Sequence, residues 1–173
     1  MENFFLYSII GGVVSFTIWL LNRQARKKVE PSRGERYELR LNKLYLYLGI
    51  VGVNLGILGF TLPVLYEDDW VSGSLLFLIL GGPAFACWLW YVNHGFVFDD
   101  TSIEATSVYG KRTAMKWEDI QKISFSTFSG LLTFSDGKGK KVKAHQHLVG
   151  LGELAKMMEE KTKWTAKEIK LPV

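Results

Sequence analysis

The sequence contains a single cysteine, Cys87, among its 173 residues. No disulfide can form within the chain, and a metal site built from cysteine is excluded. The three histidines are His94, His145 and His147. His145 and His147 would share one face of a strand, but a metal site usually needs three or four ligands. We therefore expect no metal site.

The sequence also lacks the short motifs that mark common catalytic sites. It has no P-loop, no GxGxxG dinucleotide motif and no HExxH zinc motif. Serine and threonine are frequent between residues 124 and 135, but no base is placed by the sequence to activate one of them. We therefore expect a non-enzymatic protein with no catalytic residues, no cofactor and no evident small-molecule substrate.

Formal charge is absent from three long apolar runs, at about residues 4–21, 44–65 and 71–92. Each run is close to the roughly 20 residues that a helix needs to cross a bilayer. Arg23–Lys28 follows the first run where a cleavable signal would have small residues, so we interpret this run as a retained anchor. The sequence predicts a membrane domain with three transmembrane helices over residues 1–93.

The positive charge of the chain is concentrated between the first two runs. The net charge is +4, and residues 22–43 carry eight basic and three acidic residues. A basic loop between spans marks the cytoplasmic side before it marks a nucleic-acid site, so we expect no nucleic-acid partner. Residues 66–70 contain three acids and no base, which places Glu67–Asp69 outside. The prediction is a multi-pass protein of a bacterial inner membrane, with its N-terminus outside and residues 94–173 in the cytoplasm.

The second apolar run carries a row of small residues on one helix face. Its members are three or four positions apart: Gly49, Gly52, Gly56 and Gly59. Such spacing lets another helix approach closely, and Asn54 lies nearly opposite. The contacts of these two faces could come from the neighbouring runs, or from another protein or a second copy of the chain. A role of Asn54 in an accessory subunit of a transporter is a further alternative.

Beyond the third run the pattern changes to short alternating segments separated by turns. We expect strands at Gly95–Phe98, Ile103–Tyr109, Thr113–Trp117, Ile120–Thr127, Leu131–Ser135 and Lys141–His147. The spacing of Val149–Lys161 predicts an amphipathic helix, with residues 163–173 as a short tail. These elements predict one curved antiparallel sheet, with its open end covered by the helix, as a separate domain at residues 94–162.

The order of these elements, with Trp117, Asp119 and Ile120 in mid-sheet and a final helix, resembles the bacterial pleckstrin-homology-like (PH-like) domains. The resemblance covers about residues 95–162. It implies an antiparallel β-barrel or sandwich with a C-terminal helix behind membrane helices. It also implies a binding or scaffolding module and not an enzyme.

The best candidate for a contact surface is a basic run on the last predicted hairpin, formed by Lys138, Lys140, Lys141 and Lys143. A protein partner is one expected ligand, and a second copy of the chain is another. Anionic membrane lipids are the alternative, because a domain tethered near the cytoplasmic leaflet brings its lysines close to the head groups. A solvated hairpin kept soluble by its lysines is the simplest alternative.

Overall fold

The structure is a computed structural model that describes residues 15–172 except residues 18, 22, 24, 26 and 32–35. Most of the first predicted span, at about residues 4–21, lies outside the described residues. Where they are described, the positions between 15 and 25 have helical backbone.

Two long helices follow, and both are long and apolar enough to cross a membrane. Helix α1 is Lys43–Glu67 and helix α2 is Trp70–Asn93. They contain the second and third predicted spans. Asn42 caps α1, because its side-chain oxygen accepts a hydrogen bond from the Leu44 amide at 2.9 Å. Asp69 caps α2 in the same way through the Ser72 amide, at 3.0 Å.

A change of helical pitch interrupts α2 before its proline. Residues Trp70–Leu76 and Gly82–Asn93 are α-helical, whereas Phe77–Gly81 form a π-helical turn. Pro83 has no amide hydrogen to donate to the preceding turn, and the sequence led us to expect a kink at this point. The amide of Gly82 donates to the carbonyl of Phe77, five residues earlier, which gives the wider turn.

The β-structure consists of two antiparallel sheets instead of the single curved sheet that we expected. The four-stranded sheet has the order β1-β2-β3-β4, and the three-stranded sheet has the order β5-β6-β7. The strands are β1 Tyr37–Arg40, β2 Gly95–Phe98, β3 Ser102–Thr106, β4 Arg112–Lys116, β5 Lys122–Ser126, β6 Leu131–Ser135 and β7 Lys141–His145. Helix α3, Leu151–Lys161, follows them.

Two local expectations were wrong. Strand β1 lies inside residues 22–43, which we had interpreted as a loop throughout. Its apolar residues alternate with charges, so the period-2 pattern was hidden by the basic composition. The Trp117–Asp119 segment is a single 3₁₀ turn between β4 and β5 and not part of a strand.

We call the two sheets and α3 together the β-domain, and its buried residues come from both sheets and from α3. The Phe134 ring of β6 lies 6.1 Å from the Phe96 ring of β2 and 6.1 Å from the Trp117 ring. One face of α3 is buried, as its spacing predicted: Leu151, Leu154, Ala155 and Met158. The predicted tail also has buried residues: Ala166, Ile169 and Leu171. Burial of these aromatic and aliphatic side chains is the main favourable term for folding.

The chain divides into two compact units. One contains the described residues up to Arg40 together with Phe96–Ala105 and Arg112–Val173. The other contains Leu41–Gly95, with both long helices, and Thr106–Lys111 from the connection between β3 and β4.

Candidate interaction surface

The outward face of the three-stranded sheet is polar and positively charged. Strand pairing aligns Lys122 of β5 with Ser135 of β6 and Lys141 of β7. The next outward row consists of Ser124, Thr133 and Lys143. Because successive side chains point to opposite faces of a sheet, the alternate residues of the same strands enter the core. Ile123, Leu132, Phe134, Val142 and Ala144 are all buried.

These two rows border an open groove of about 630 Å³ on the sheet surface. We call this surface the cationic face; its members are Lys122, Ser124, Thr133, Ser135, Lys141 and Lys143. Neighbouring strands are about 4.8 Å apart, so Lys122 and Lys141 flank Ser135 at a backbone separation of about 10 Å. The lysine and hydroxyl groups can all donate hydrogen bonds, so the chemistry of the face suits an anion.

Asp136 also lines the groove, but its carboxylate is engaged by the hairpin turn. Its Oδ1 accepts hydrogen bonds from the Lys138 amide at 2.9 Å and from the Lys140 amide at 2.7 Å. The Asp136 amide in turn donates to the Lys140 carbonyl at 3.1 Å, and Gly139 takes a positive φ of 91°. The turn is therefore closed by hydrogen bonds of its own backbone and of the Asp136 side chain.

The structure divides the four lysines that the sequence suggested as one group. Lys141 and Lys143 lie on the cationic face, whereas Lys138 and Lys140 lie on the turn beside it. Lys122 completes the face and was missed by the sequence reasoning. Its signal was present in the alternation of Lys122, Ser124 and Ser126 along the strand, but the partner strands are needed to bring it beside Lys141.

The glycine row of α1 lies against α2. A Cβ built on Gly49 would lie 2.6 Å from the Trp88 Cβ, and one on Gly56 would lie 2.8 Å from the Gly81 Cα. A Cβ on Gly52 would overlap the side chain of Ala84, and one on Gly59 would lie 3.3 Å from the Leu76 Cβ. The row therefore allows α1 and α2 to approach closely.

Asn54 is on the exposed side of α1. Its amide nitrogen donates to the Ile50 carbonyl of the same helix at 2.7 Å. Thr61, seven residues further, bonds to the Ile57 carbonyl at 2.7 Å in the same manner. Both polar side chains therefore donate a hydrogen bond to a backbone carbonyl of their own helix.

The histidines lie in two separate places. The rings of His145 and His147 are 4.9 Å apart, and the His145 Nδ1 accepts a hydrogen bond from the His147 amide at 3.2 Å. Burial lowers the pKa of His147 below its ordinary value of 6.5. Within the described part of the chain, no group of three or more His, Cys, Asp or Glu residues could hold a metal ion.

His94 follows the last residue of α2 and is buried, with 8% of its surface exposed. Its Nδ1 lies 2.9 Å from the Thr106 carbonyl, so that nitrogen carries the proton and donates it. Its Nε2 is buried and has no hydrogen-bond partner among the described residues. Burial lowers the pKa of the ring, and the hydrogen bond to Thr106 opposes this effect.

The chain matches no protein-family model and no curated protein.

Proposed function

We propose that this chain is a non-enzymatic integral membrane protein whose β-domain is a cytoplasmic interaction module of the PH-like kind. Its ligand is an acidic segment of a protein partner, bound on the cationic face. The observation that carries the proposal is the alignment of Lys122, Lys141 and Lys143 with three hydroxyl side chains on one exposed sheet surface. The proposal includes a third membrane helix at about residues 4–21, in addition to α1 and α2.

The architecture of the β-domain supports the PH-like part of the proposal. We expected six or seven antiparallel strands and a final helix after the third span, and six strands, β2 to β7, precede α3 there, while β1 precedes α1. The two long apolar helices between β1 and β2 support the membrane tether.

The spacing of the lysines supports an extended acidic ligand. Lys141 and Lys143 are two residues apart on one strand, which separates them by about 6.7 Å. Alternate side chains of an extended peptide have the same separation, so two of its carboxylates can meet both lysines. Each exposed ion pair contributes only about 0–1 kcal/mol. Binding therefore depends on several pairs together and weakens as salt is added.

The test is cross-linking of the full-length protein in native membranes, followed by mass spectrometry of captured proteins and lipids. Three forms are compared: the wild type, a face variant with Lys122→Gln, Lys141→Gln and Lys143→Gln, and a turn variant with Lys138→Gln and Lys140→Gln. We expect a stoichiometric protein partner with the wild type and the turn variant, and its loss with the face variant. A partner retained by the face variant would refute binding on this face.

Anionic lipid is the second candidate ligand, and the closeness of Lys138 and Lys140 to the cationic face favours it. Within a Debye length of an anionic leaflet each lysine contributes about 1 kcal/mol without needing a specific partner. This candidate predicts that only the protein itself is recovered, with enriched anionic lipid. It also predicts that the face and turn variants each lose part of that lipid.

A further inference from the structure

The connection between β3 and β4 is attached to the end of α2 by two side chains. The Asn93 amide nitrogen donates to the Val108 carbonyl at 2.7 Å, and His94 Nδ1 donates to the Thr106 carbonyl at 2.9 Å. Residues Thr106–Lys111 accordingly group with the two long helices and not with the remaining strands. The last residue of the helix and the one after it thus hold this short segment in place.

The segment is itself a closed turn. The Ser107 amide donates to the Lys111 carbonyl at 2.9 Å, and the Gly110 amide donates to the Ser107 carbonyl at 2.9 Å. The Lys111 amide also donates to the Ser107 hydroxyl at 3.2 Å. Gly110 has a φ of 75°, a conformation that glycine adopts at little cost. The turn is therefore closed by hydrogen bonds within the segment itself.

An aromatic side chain occupies the tip of this turn. Tyr109 is 92% exposed, although an aromatic ring usually finds apolar surroundings. Lys111, two residues further, is exposed as well. A tyrosine beside a lysine suits the head-group region of a bilayer, where the ring meets apolar chains while the hydroxyl and the ammonium remain hydrated.

The length of α2 places the turn in that region if the helix crosses a membrane. Its 24 residues extend about 36 Å, whereas the hydrocarbon layer is about 30 Å thick. The boundary of this layer is marked by three aromatic residues of α2: Trp88, Trp90 and Tyr91. Gly49 of α1 lies against Trp88, so Tyr47, two residues before Gly49, lies near the same boundary. Asn93 is a few residues beyond this boundary, at head-group depth, and it holds Val108 directly.

We infer that the Ser107–Lys111 turn is a membrane-interface anchor, with Tyr109 and Lys111 in contact with phospholipid head groups at the cytoplasmic end of α2. The inference rests on the membrane location in the proposed function. It assigns a lipid contact to a turn that lies outside the cationic face and outside the apolar spans.

The test measures the depth of a fluorescent label in nanodiscs of phosphatidylcholine and phosphatidylglycerol. The full-length protein carries Cys87→Ala and one new cysteine, at Tyr109→Cys or Lys111→Cys. Its label is quenched by nitroxides attached either to the lipid head group or deep in the acyl chain. We expect strong head-group quenching and weak deep quenching at both positions, and loss of the head-group quenching when Asn93→Ala is added.

Leu55→Cys in the middle of α1 is the matched control, with the reverse order of quenching expected. A label at residue 55 without deep quenching would show that the helices are not inserted, which overturns the proposed function itself. Deep quenching at residue 55 with no head-group quenching at 109 and 111 overturns the anchor alone. That result would leave the turn exposed to water or covered by a protein.

Discussion

At the scale of single residues, the buried nitrogen of His94 makes the fold sensitive to acid. Burial lowers the folded-state pKa of the ring below 6.5, because protonation of Nε2 would place a charge in a buried site where the described residues offer no acceptor. In the unfolded chain the ring has its ordinary pKa and takes up the proton first. The contribution of His94 to stability is therefore constant above a pH of about 6.5 and decreases as the pH falls below it.

His94→Asn tests this effect, because an asparagine amide can still donate to the Thr106 carbonyl but does not titrate. We expect the wild type to lose thermal stability between pH 7 and pH 5, and the variant to lose less, measured by tryptophan fluorescence in detergent. His147 contributes in the same direction in both proteins, since burial also lowers its pKa. Identical pH profiles for the two proteins would exclude His94 as the cause.

Trp117 shows that the burial of a residue could be predicted from the sequence, whereas its hydrogen-bond partner could not. Its side chain was expected in the core, and it is buried against Phe134. Its Nε1–H donates to the Asp99 carbonyl at 2.8 Å, a contact across 18 residues that no local pattern indicates. Apolar periodicity therefore predicted burial, whereas the hydrogen-bond partner depended on the pairing of distant segments.

At the scale of secondary-structure elements, the close approach of α1 and α2 depends on glycines to different degrees. A Cβ at position 56 would meet the Gly81 backbone at 2.8 Å, and backbone atoms cannot rotate away. A Cβ at position 59 would lie 3.3 Å from a side-chain carbon of Leu76, where a small shift is enough. Overpacking usually costs about 1–3 kcal/mol, while alanine gains up to about 1 kcal/mol over glycine within a helix.

We therefore expect Gly56→Ala to destabilise the protein by about 1–3 kcal/mol, and Gly59→Ala to have an effect near zero. The measurement is reversible unfolding of the full-length protein in mixed detergent micelles. Both variants make the same chemical change in the same helix, so helix propensity cancels in the comparison. Equal effects would contradict the helix contact described for Gly56.

The strands differ in how far they were predictable. β2 and β6 have the predicted bounds, because alternation and flanking turn residues mark both of them. β1 was missed, although Leu39 and Leu41 are buried and the charged residues Glu38 and Arg40 alternate with them. Glu38 and Arg40 pair with each other at 2.8 Å. Local charge density concealed a strand whose neighbour, β2, is more than 50 residues away along the chain.

Only part of the cationic face was predicted from the sequence, for a related reason. Lys141 and Lys143 were identified by their proximity in the sequence, but Lys122 was not. Its place is fixed by the pairing of Lys122 with Ser135, and of Ser135 with Lys141. A surface assembled from three strands becomes predictable only when their register is known.

At the scale of the whole molecule, the sheet order constrains how the chain can cross a membrane. β1 precedes α1, β2 follows α2, and the two strands are neighbours in one sheet. Strands that share hydrogen bonds must lie on the same side of a bilayer. If α1 and α2 each cross a membrane, as in the proposed function, they therefore form a hairpin whose turn, near Glu67, is on the opposite side.

In the proposed function, the orientation follows from the charge of the segments that flank α1 and α2. Residues 22–43 are strongly basic and residues 66–70 are acidic, which favours β1 and the β-domain in the cytoplasm and Glu67 outside. In a Cys87→Ala background, three single cysteines test this arrangement: Lys28→Cys, Glu67→Cys and Lys138→Cys. We expect a membrane-impermeant maleimide to label position 67 in intact spheroplasts, and positions 28 and 138 only after lysis.

The pattern of labelling separates two claims. If positions 28 and 138 are labelled in intact spheroplasts and position 67 is protected, the hairpin is correct and the charge rule has been applied in the wrong direction. If positions 28 and 138 differ from each other, β1 and β2 cannot share a sheet in the membrane. That outcome would contradict the fold itself, because Leu39 of β1 is completely buried and needs the neighbouring strands to cover it.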